Sequence, residues 1–230
     1  MKKIVALLPM KAYSERVKGK NFRDFLGKPL FRWILDSLIE IEEIGQVIIN
    51  TDARHILREN GVIDSDRILI RDRKPEICGD MVSMNLVLAD DVENVEADIY
   101  LMTHTTNPLM SSDTIRRALG AFLQAQSEGT ADSLFTVDKV QTRFYRADGS
   151  AVNHDPDNLI RTQDLEPWFQ ENSNLYIFTC DSFAKTNARI GKNPMMFESP
   201  KFESLDIDTP EDWDFAVISA RYLMEQKGQK

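Results

Sequence analysis

The stretch IVALLPMKAYSERVKGKN, residues 4–21, decides how the chain is read. Its opening run, Ile4-Val5-Ala6-Leu7-Leu8, is continuously apolar. A strand with one wet face would alternate apolar and polar residues, so this run predicts a strand covered on both faces, closed by Pro9. Behind it the composition turns basic. From Lys11 to Lys28, six basic residues (Lys11, Arg16, Lys18, Lys20, Arg23, Lys28) stand against Glu15 and Asp24, a segment of +4 in a chain of net charge −9. Ligands of open α/β sheets bind beyond the carboxyl ends of the strands, so cations at this place predict a small anionic ligand. The loop lacks the Gly-x-x-x-x-Gly-Lys-Ser/Thr and Gly-x-Gly-x-x-Gly spacings. By composition alone, a solvated basic loop is as good a reading as a phosphate site.

Outward from this stretch the pattern repeats. A helix is expected over residues 29–40, with Phe31, Ile34, Leu35 and Leu38 on one stripe, then a strand at Val47-Ile48-Ile49 and a short helix over 54–60 ended by Gly61. A third strand at Ile68-Leu69-Ile70, a helix from Ser83 to about residue 92, a fourth strand over 98–102 and a helix opened by Ser112 continue the alternation. This predicts an α/β fold: a single Rossmann-like domain over 1–230, with a mostly parallel sheet and helices on both faces. After a strand over 133–137 the rhythm breaks. Arg143-Phe144-Tyr145, the turn Asp148-Gly149 and Ala151-Val152 read as a protruding hairpin within an excursion over 139–170. Residues 175–179 and 204–207 are expected to return to the sheet, and 210–225 to form the closing helix with Trp213, Ala216, Val217, Ala220 and Leu223 on one face.

Composition excludes several classes. A net charge of −9 speaks against nucleic acid or an anionic membrane as the main partner. The longest apolar runs fall far short of a membrane span, and the start MKKIVALLPMK turns charged too early for a secretory signal, so a cytoplasmic protein is expected. Cys78 and Cys180 have no zinc or disulfide spacing and read as buried thiols. Trp33 and Trp213 read as core, and His55 and His154 as surface residues.

A second constellation lies near the end, in Ser204-Leu205-Asp206-Ile207-Asp208-Thr209-Pro210-Glu211-Asp212. In an extended segment residues two apart share a face, so Leu205 and Ile207 point inward while Asp206 and Asp208 point together the other way. Two carboxylates about 4 Å apart repel by roughly 1 kcal/mol in water and about 4 at an effective dielectric of 20, a cost that a divalent cation removes. Magnesium suits, because it takes one or two carboxylates with phosphate oxygens and water. The plainer alternative is that Asp208 or Thr209 caps the helix opening at Pro210; it accounts for one acid and not for both.

The order Pro-x-Lys-x-x-Ser-x-Arg-x-x-Gly-Lys-Asn, Gly27-Lys28-Pro29-Leu30, Thr51-Asp52, Pro75-Glu76, Asn107-Pro108-Leu109, Glu171-Asn172-Ser173-Asn174-Leu175-Tyr176 and Asp206-Ile207-Asp208-Thr209 resembles the acylneuraminate cytidylyltransferases and their relatives that activate 3-deoxy-octulosonic acid. The resemblance covers nearly the whole chain. It implies a nucleotide-diphospho-sugar transferase fold, CTP as donor, a small sugar as acceptor, Mg2+ and a homodimer with an exchanged hairpin. It also implies that Lys11, Ser14, Arg16 and Lys20 hold the triphosphate, that Asn21 lies near the nucleotide, that Arg73 and Ser83 line the cytidine pocket, and that Asp206 and Asp208 hold the metal. Lys20, Arg16 and Lys11 would then carry the catalytic charge stabilisation, with His104, Gln170 and Asn172 at the acceptor.

This sequence departs from the family pattern where Lys11 replaces Arg, Glu15 replaces Lys, His104 replaces Gln and Gln170 replaces an Arg that helps hold the sugar carboxylate. A neutral amide does not supply the bidentate charged contact of a guanidinium, so the carboxylate is expected to go to another cation, with Arg143 and Arg161 as candidates, or to be missing from the acceptor. Trp168 and Phe169, beside Gln170, are candidates for the acceptor wall. Two rival functions stay open on sequence: a nucleotidyltransferase of the same fold using another nucleotide or a sugar phosphate, and a nucleotide-binding protein without turnover.

Overall fold

In the computed structural model, which describes residues 2–79 and 81–228, the apolar run becomes β1 (Ile4–Leu7). A two-stranded ribbon, β2 (Asp24–Phe25) and β3 (Lys28–Pro29), leads into α1 (Leu30–Ile39). There follow β4 (Gln46–Thr51), α2 (Arg54–Glu59), β5 (Ile68–Asp72), α3 (Met84–Asn94), β6 (Ile99–Thr103) and α4 (Ser112–Ser127). The chain ends through β7 (Ser133–Val140), β8 (Trp168–Thr179), α5 (Cys180–Thr186), β9 (Pro194–Glu198) and α6 (Pro210–Gly228). The main sheet has the order β5-β4-β1-β6-β8-β7-β9. It is parallel from β5 through β6 and again between β7 and β9, while β8 runs antiparallel to both its neighbours. Among the described residues no helix is long and apolar enough to cross a membrane.

Alternation along β1 splits its side chains between two cores. Ile4, Ala6 and Leu8 pack with Phe31, Ile34, Leu35 and Leu38 of α1 and with Ile115, Leu119 and Phe122 of α4. Val5 and Leu7 pack with Leu88 of α3 and Phe183 of α5. Both faces are therefore covered, which is why the run needs no polar positions. A third cluster unites Val17, Phe25, Leu30, Leu109, Ile207, Trp213, Ala216 and Ala220. The Phe25 ring meets Trp33 and Trp213 edge-on, with centroids 5.5 and 5.4 Å apart. Each fully buried side chain of this size contributes about 1.5–3 kcal/mol, so the cluster firmly joins the basic loop after β1 to the segment that enters α6.

Several expectations are corrected. Residues 204–207 are extended but belong to no strand; the sheet is extended instead by β9, which follows a helix, α5, that the sequence reading passed over. Backbone pairing for 204–207 is replaced by single ties: the Ile207 N–H donates to Thr106 O at 3.0 Å and Asn107 Nδ2 donates to Leu205 O at 3.2 Å. β7 and β8 run on past the main sheet, so Trp168, Phe169 and Gln170 are strand residues rather than loop, with Val140 opposite Trp168. The expected hairpin at 143–152 is present as a short one: Tyr145 bridges Ala151, the Val152 N–H donates to Phe144 O at 2.9 Å and the Arg146 N–H to Ser150 O at 2.8 Å, and Gly149 turns it at φ +83°, a value that favours glycine. The cysteines are not buried: Cys78 is half-buried and Cys180 exposed. Trp213 is core as expected, and half-buried Trp33 donates its indole N–H to Phe25 O at 2.9 Å.

Candidate active site

A cavity of about 500 Å³ opens at the carboxyl ends of β1, β5 and β6. Its first wall is the loop after β1, where Lys11, Ser14, Arg16, Lys20 and Asn21 all reach the lining. The loop is fastened at several points. Met10 N–H donates to Asn50 O at 3.1 Å and Ala12 N–H to Asp52 Oδ1 at 2.7 Å. Gly19, at φ +61°, allows the chain to turn back into a short helical turn over residues 20–22. Asn21 proves to be a brace: its amide donates to Lys11 O at 2.8 Å and accepts from the Thr105 hydroxyl at 2.6 Å.

The second wall carries the acids. Asp206 and Asp208 line the same cavity as the loop cations. Capping of α6 does not use them. Thr209 and Asp212 form a reciprocal box, in which Thr209 N–H donates to Asp212 Oδ2 at 2.8 Å and Asp212 N–H donates to Thr209 Oγ1 at 3.2 Å. Ile207, between the acids, is fully buried in the third cluster, so the alternation read from sequence holds without a strand. Burial raises the Asp206 carboxyl above the usual range and the neighbouring Asp208 charge adds to this, while Asp206 Oδ1 is buried without a hydrogen-bond partner. A desolvated carboxylate oxygen without a hydrogen-bond partner, beside a second carboxylate, suits a cation, and a pair of acids in a cavity that also holds Lys11, Arg16 and Lys20 fits magnesium. Among the described residues no group of three or more His, Cys, Asp or Glu side chains forms a closed metal cage, so remaining ligands would come from substrate and water.

Cations and acids meet directly. Arg16 Nη2 lies 3.0 Å from Asp208 Oδ1, and the buried Lys20 ammonium lies 3.4 Å from the same oxygen while donating to Ile207 O. Burial lowers the proton affinity of Lys20, opposed by the charges of Asp208 and Asp206.

The third wall is formed by Arg73 with Ile77, Val82, Met84 and Val87. Arg73 is locked: its Nε donates to Asn50 Oδ1 at 2.9 Å and its Nη2 to Asn50 O at 2.8 Å. Asn50 in turn donates to the buried Asp91 at 2.8 Å. Ser83 stands between the lining residues Val82 and Met84 but is itself exposed, outside the lining, and makes no capping bond to α3.

On the β6 and β8 side the lining is His104, Thr105, Thr106, Ser173 and Arg189. Burial, followed by the Arg189 and Lys20 charges, brings the His104 imidazole down to about 4, so it is neutral near pH 7. Ser173 sits at φ +58°, a strained value for a serine, where the register between β7 and β8 shifts. Gln170 is exposed and outside the lining. Asn172 is buried outside it as well, donating to Ser199 Oγ at 2.7 Å. Trp168 stacks on Phe144 with centroids 5.0 Å apart, and neither it nor Phe169 reaches the cavity. Arg143 donates to Ile160 O at 2.5 Å and Arg161 pairs with Asp164 at 2.7 Å, both away from the cavity. Arg189 and Ser173 were missed as site residues. Ser173 lay within the quoted Glu171-to-Tyr176 motif; Arg189 falls in the connection between the two elements, α5 and β9, that carried no clear periodic signal.

Sheet order and site together place the chain among α/β nucleotidyltransferases. More narrowly, it belongs to the cytidylyltransferase family, whose model matches residues 5–226. The chain is similar to pseudaminic acid cytidylyltransferase of Campylobacter jejuni, 23% identical over 223 residues that cover 94% of this chain and 95% of that protein. It is similar also to CMP-N,N'-diacetyllegionaminic acid synthase of Legionella pneumophila, 24% identical over 224 residues that cover 92% and 93% of the two chains. Among solved structures, CMP:2-keto-3-deoxy-manno-octonic acid synthetase complexed with CTP superposes with a TM-score of 0.64 at 16% identity, covering 98% of this chain and 99% of that one. The 4-diphosphocytidyl-2C-methyl-D-erythritol synthase of Anaerococcus prevotii gives 0.65 at 13% identity, covering 96% and 99%. At such identities these two structures speak to the fold.

Proposed function

We propose that this cytidylyltransferase transfers CMP from CTP to a hydroxyl of an acidic sugar, with release of pyrophosphate and with Mg2+ held by Asp206 and Asp208. The observation that carries this reading is the meeting of the Arg16 and Lys20 cations with the Asp206–Asp208 pair in one cavity, with the Asp206 oxygen left unpartnered. The relatives' names, which refer to pseudaminic and diacetyllegionaminic acids, support an acidic acceptor.

In this reaction the sugar oxygen bonds to the α-phosphorus as the bond to the bridging oxygen of the β-phosphate breaks, so negative charge gathers on the leaving pyrophosphate. Lys11, Arg16 and Lys20, which line the cavity, would stabilise it, and of these Lys20, buried and tied to Ile207 O, would act with little reorganisation. The metal, when bound, supplies Lewis-acid polarisation of phosphate oxygens. Arg73 and the apolar side chains of Val82, Met84 and Val87 offer a wall for the nucleoside. Neutral His104 serves as a hydrogen-bonding partner for the sugar; at about 4 its proton affinity is too low for an effective base near pH 7.

The test is pyrophosphate release from CTP and magnesium chloride with a panel of acidic sugars. Release with at least one acid, and little with UTP or ATP in place of CTP, supports the reading. CTP binding without release from any acid would favour the non-catalytic alternative. A homodimer is part of the same proposal, because the excursion exposes Tyr145, Leu159, Ile160, Trp168 and Phe169 together. Sedimentation at micromolar concentration should give twice the chain mass of 26.4 kDa.

A further inference from the structure

Resting on the reading of the acceptor as an acidic sugar, we propose that Arg189 is the residue that receives its carboxylate. The cations of the cavity are already divided by the fold. Lys11, Arg16 and Lys20 hang from the loop behind β1, and Arg73 is committed to Asn50 and to Met10 O. β6, which ends just before His104, lies between β1 and β8. Arg189 leans over β8, its guanidinium carbon 3.9 Å from the centroid of the Tyr176 ring. It is the cation on the side of the cavity away from the triphosphate loop, which is where an acceptor would extend from the α-phosphate.

The setting of Arg189 holds the guanidinium still without using up its donors. The contact over the Tyr176 ring holds the guanidinium through its charge and uses none of its N–H donors. Its nearest acid, Glu171 Oε1, is 3.8 Å away, beyond hydrogen-bond reach, and that oxygen already accepts the Tyr176 hydroxyl. Among the described residues no hydrogen bond holds the Arg189 side chain, although only 22% of it is exposed. A half-buried guanidinium held over an aromatic ring, with unspent donors and lining a cavity, suits bidentate recognition of a carboxylate. Its field also accounts for part of the depressed basicity of His104, which places the two side chains within electrostatic reach of one another. Within one chain, Gln170, Arg143 and Arg161 lie outside the cavity lining, and Arg189 lies in it.

A plainer account is that Arg189, Tyr176 and Glu171 form a latch for the connection to β9. The experiment separates the two by steady-state pyrophosphate release, with pseudaminic, diacetyllegionaminic, N-acetylneuraminic and 3-deoxy-manno-octulosonic acids as probes, on wild type, Arg189→Gln and Arg189→Lys. With the acid that wild type uses best, Arg189→Gln should raise the acceptor KM about 10- to 150-fold, the range for a lost charged hydrogen bond, while the KM for CTP stays within twofold. Arg189→Lys, which keeps the charge and lost bidentate geometry alone, should fall between. The methyl ester of the same acid should be used equally by wild type and Arg189→Gln. An unchanged acceptor KM in Arg189→Gln, or an equal loss for CTP, acid and ester, would overturn the assignment to Arg189 while leaving the cytidylyl transfer intact. If Arg189→Gln does not fold, Arg189→Lys decides by the same acid-to-ester comparison. No release by wild type with any acid would overturn the functional reading itself, and this proposal with it.

Discussion

Arg16 Nη2 stands 3.0 Å from Asp208 Oδ1, so a cation of the loop behind β1 and an acid of the proposed metal pair neutralise each other across the cavity. Their side chains are 67% and 42% exposed, and an ion pair so open to water is worth about 0–1 kcal/mol. It can be exchanged at small cost when a triphosphate takes the arginine and a cation takes the carboxylate. Under the proposed function, the pair holds the places of the substrate and its metal.

Loss of either loop cation should therefore cost activity without a comparable cost in the fold at Arg16. Arg16→Ala and Lys20→Ala are each expected to lower kcat/KM at least tenfold, about 1.4 kcal/mol of transition-state stabilisation. Lys20→Ala should also lower the melting temperature, because the buried ammonium ties the loop to Ile207 O. Wild-type kinetics in either variant would move the triphosphate elsewhere.

For the acids, Asp206→Asn and Asp208→Asn should abolish magnesium-dependent turnover and leave the fold intact. A second readout is thermal. Without metal, Asp206→Asn removes a buried carboxylate whose charged form is disfavoured by desolvation, so its melting temperature should equal or exceed that of wild type. The rise in melting temperature that magnesium and CTP together give wild type should be lost. Retained magnesium-dependent turnover in both variants would remove the metal from this pair.

His104 gives a pH prediction with a definite sign. Its proton affinity is about 4 folded against an ordinary value of about 6.5 in the unfolded chain. Between these values the unfolded chain binds more protons, so the His104 contribution is complete above about pH 6.5 and is lost as pH falls toward 4. Denaturant midpoints of wild type relative to His104→Gln should fall over this window on acidification. NMR titration of the imidazole should show a midpoint well below 6, and Arg189→Gln should move it upward by removing the second-largest cause of the depression. A midpoint above 6 in wild type would refute the buried, neutral assignment.

Asn50 is fully buried and links Arg73 to Asp91. Asn50→Ala takes the acceptor from Arg73 Nε and one of the donors from Asp91 Oδ1, which Arg71 still meets, while Arg73 Nη2 keeps the backbone oxygen of residue 50; an unsatisfied buried group costs about 1–3 kcal/mol. We expect lower stability and a raised KM for CTP, with the acceptor KM little changed. Equal rises in both KM values would show that Arg73 does not serve the nucleotide alone.

Much of the architecture was legible in the chain because its causes are local. Ile4 to Leu8 announced a strand covered on both faces, the stripes of α1 and α6 announced their buried sides, and the alternation of Leu205, Asp206, Ile207 and Asp208 separated core from cavity. These patterns are periodicities of backbone geometry, and they survive wherever the segment lies, which is why the acids face the cavity although residues 204–207 join no strand. The cationic loop behind β1 was likewise carried by adjacency along the sequence. What only the tertiary structure decided is which distant side chains share one cavity. Sheet order β1-β6-β8 and the unforeseen α5 and β9 bring Arg189 over Tyr176, whereas Arg143, Arg161 and Gln170 lie in the excursion, outside the cavity of their own chain. Charge type is written in the residue, but proximity depends on the packing of elements far apart in the chain, and no local pattern encodes that distance.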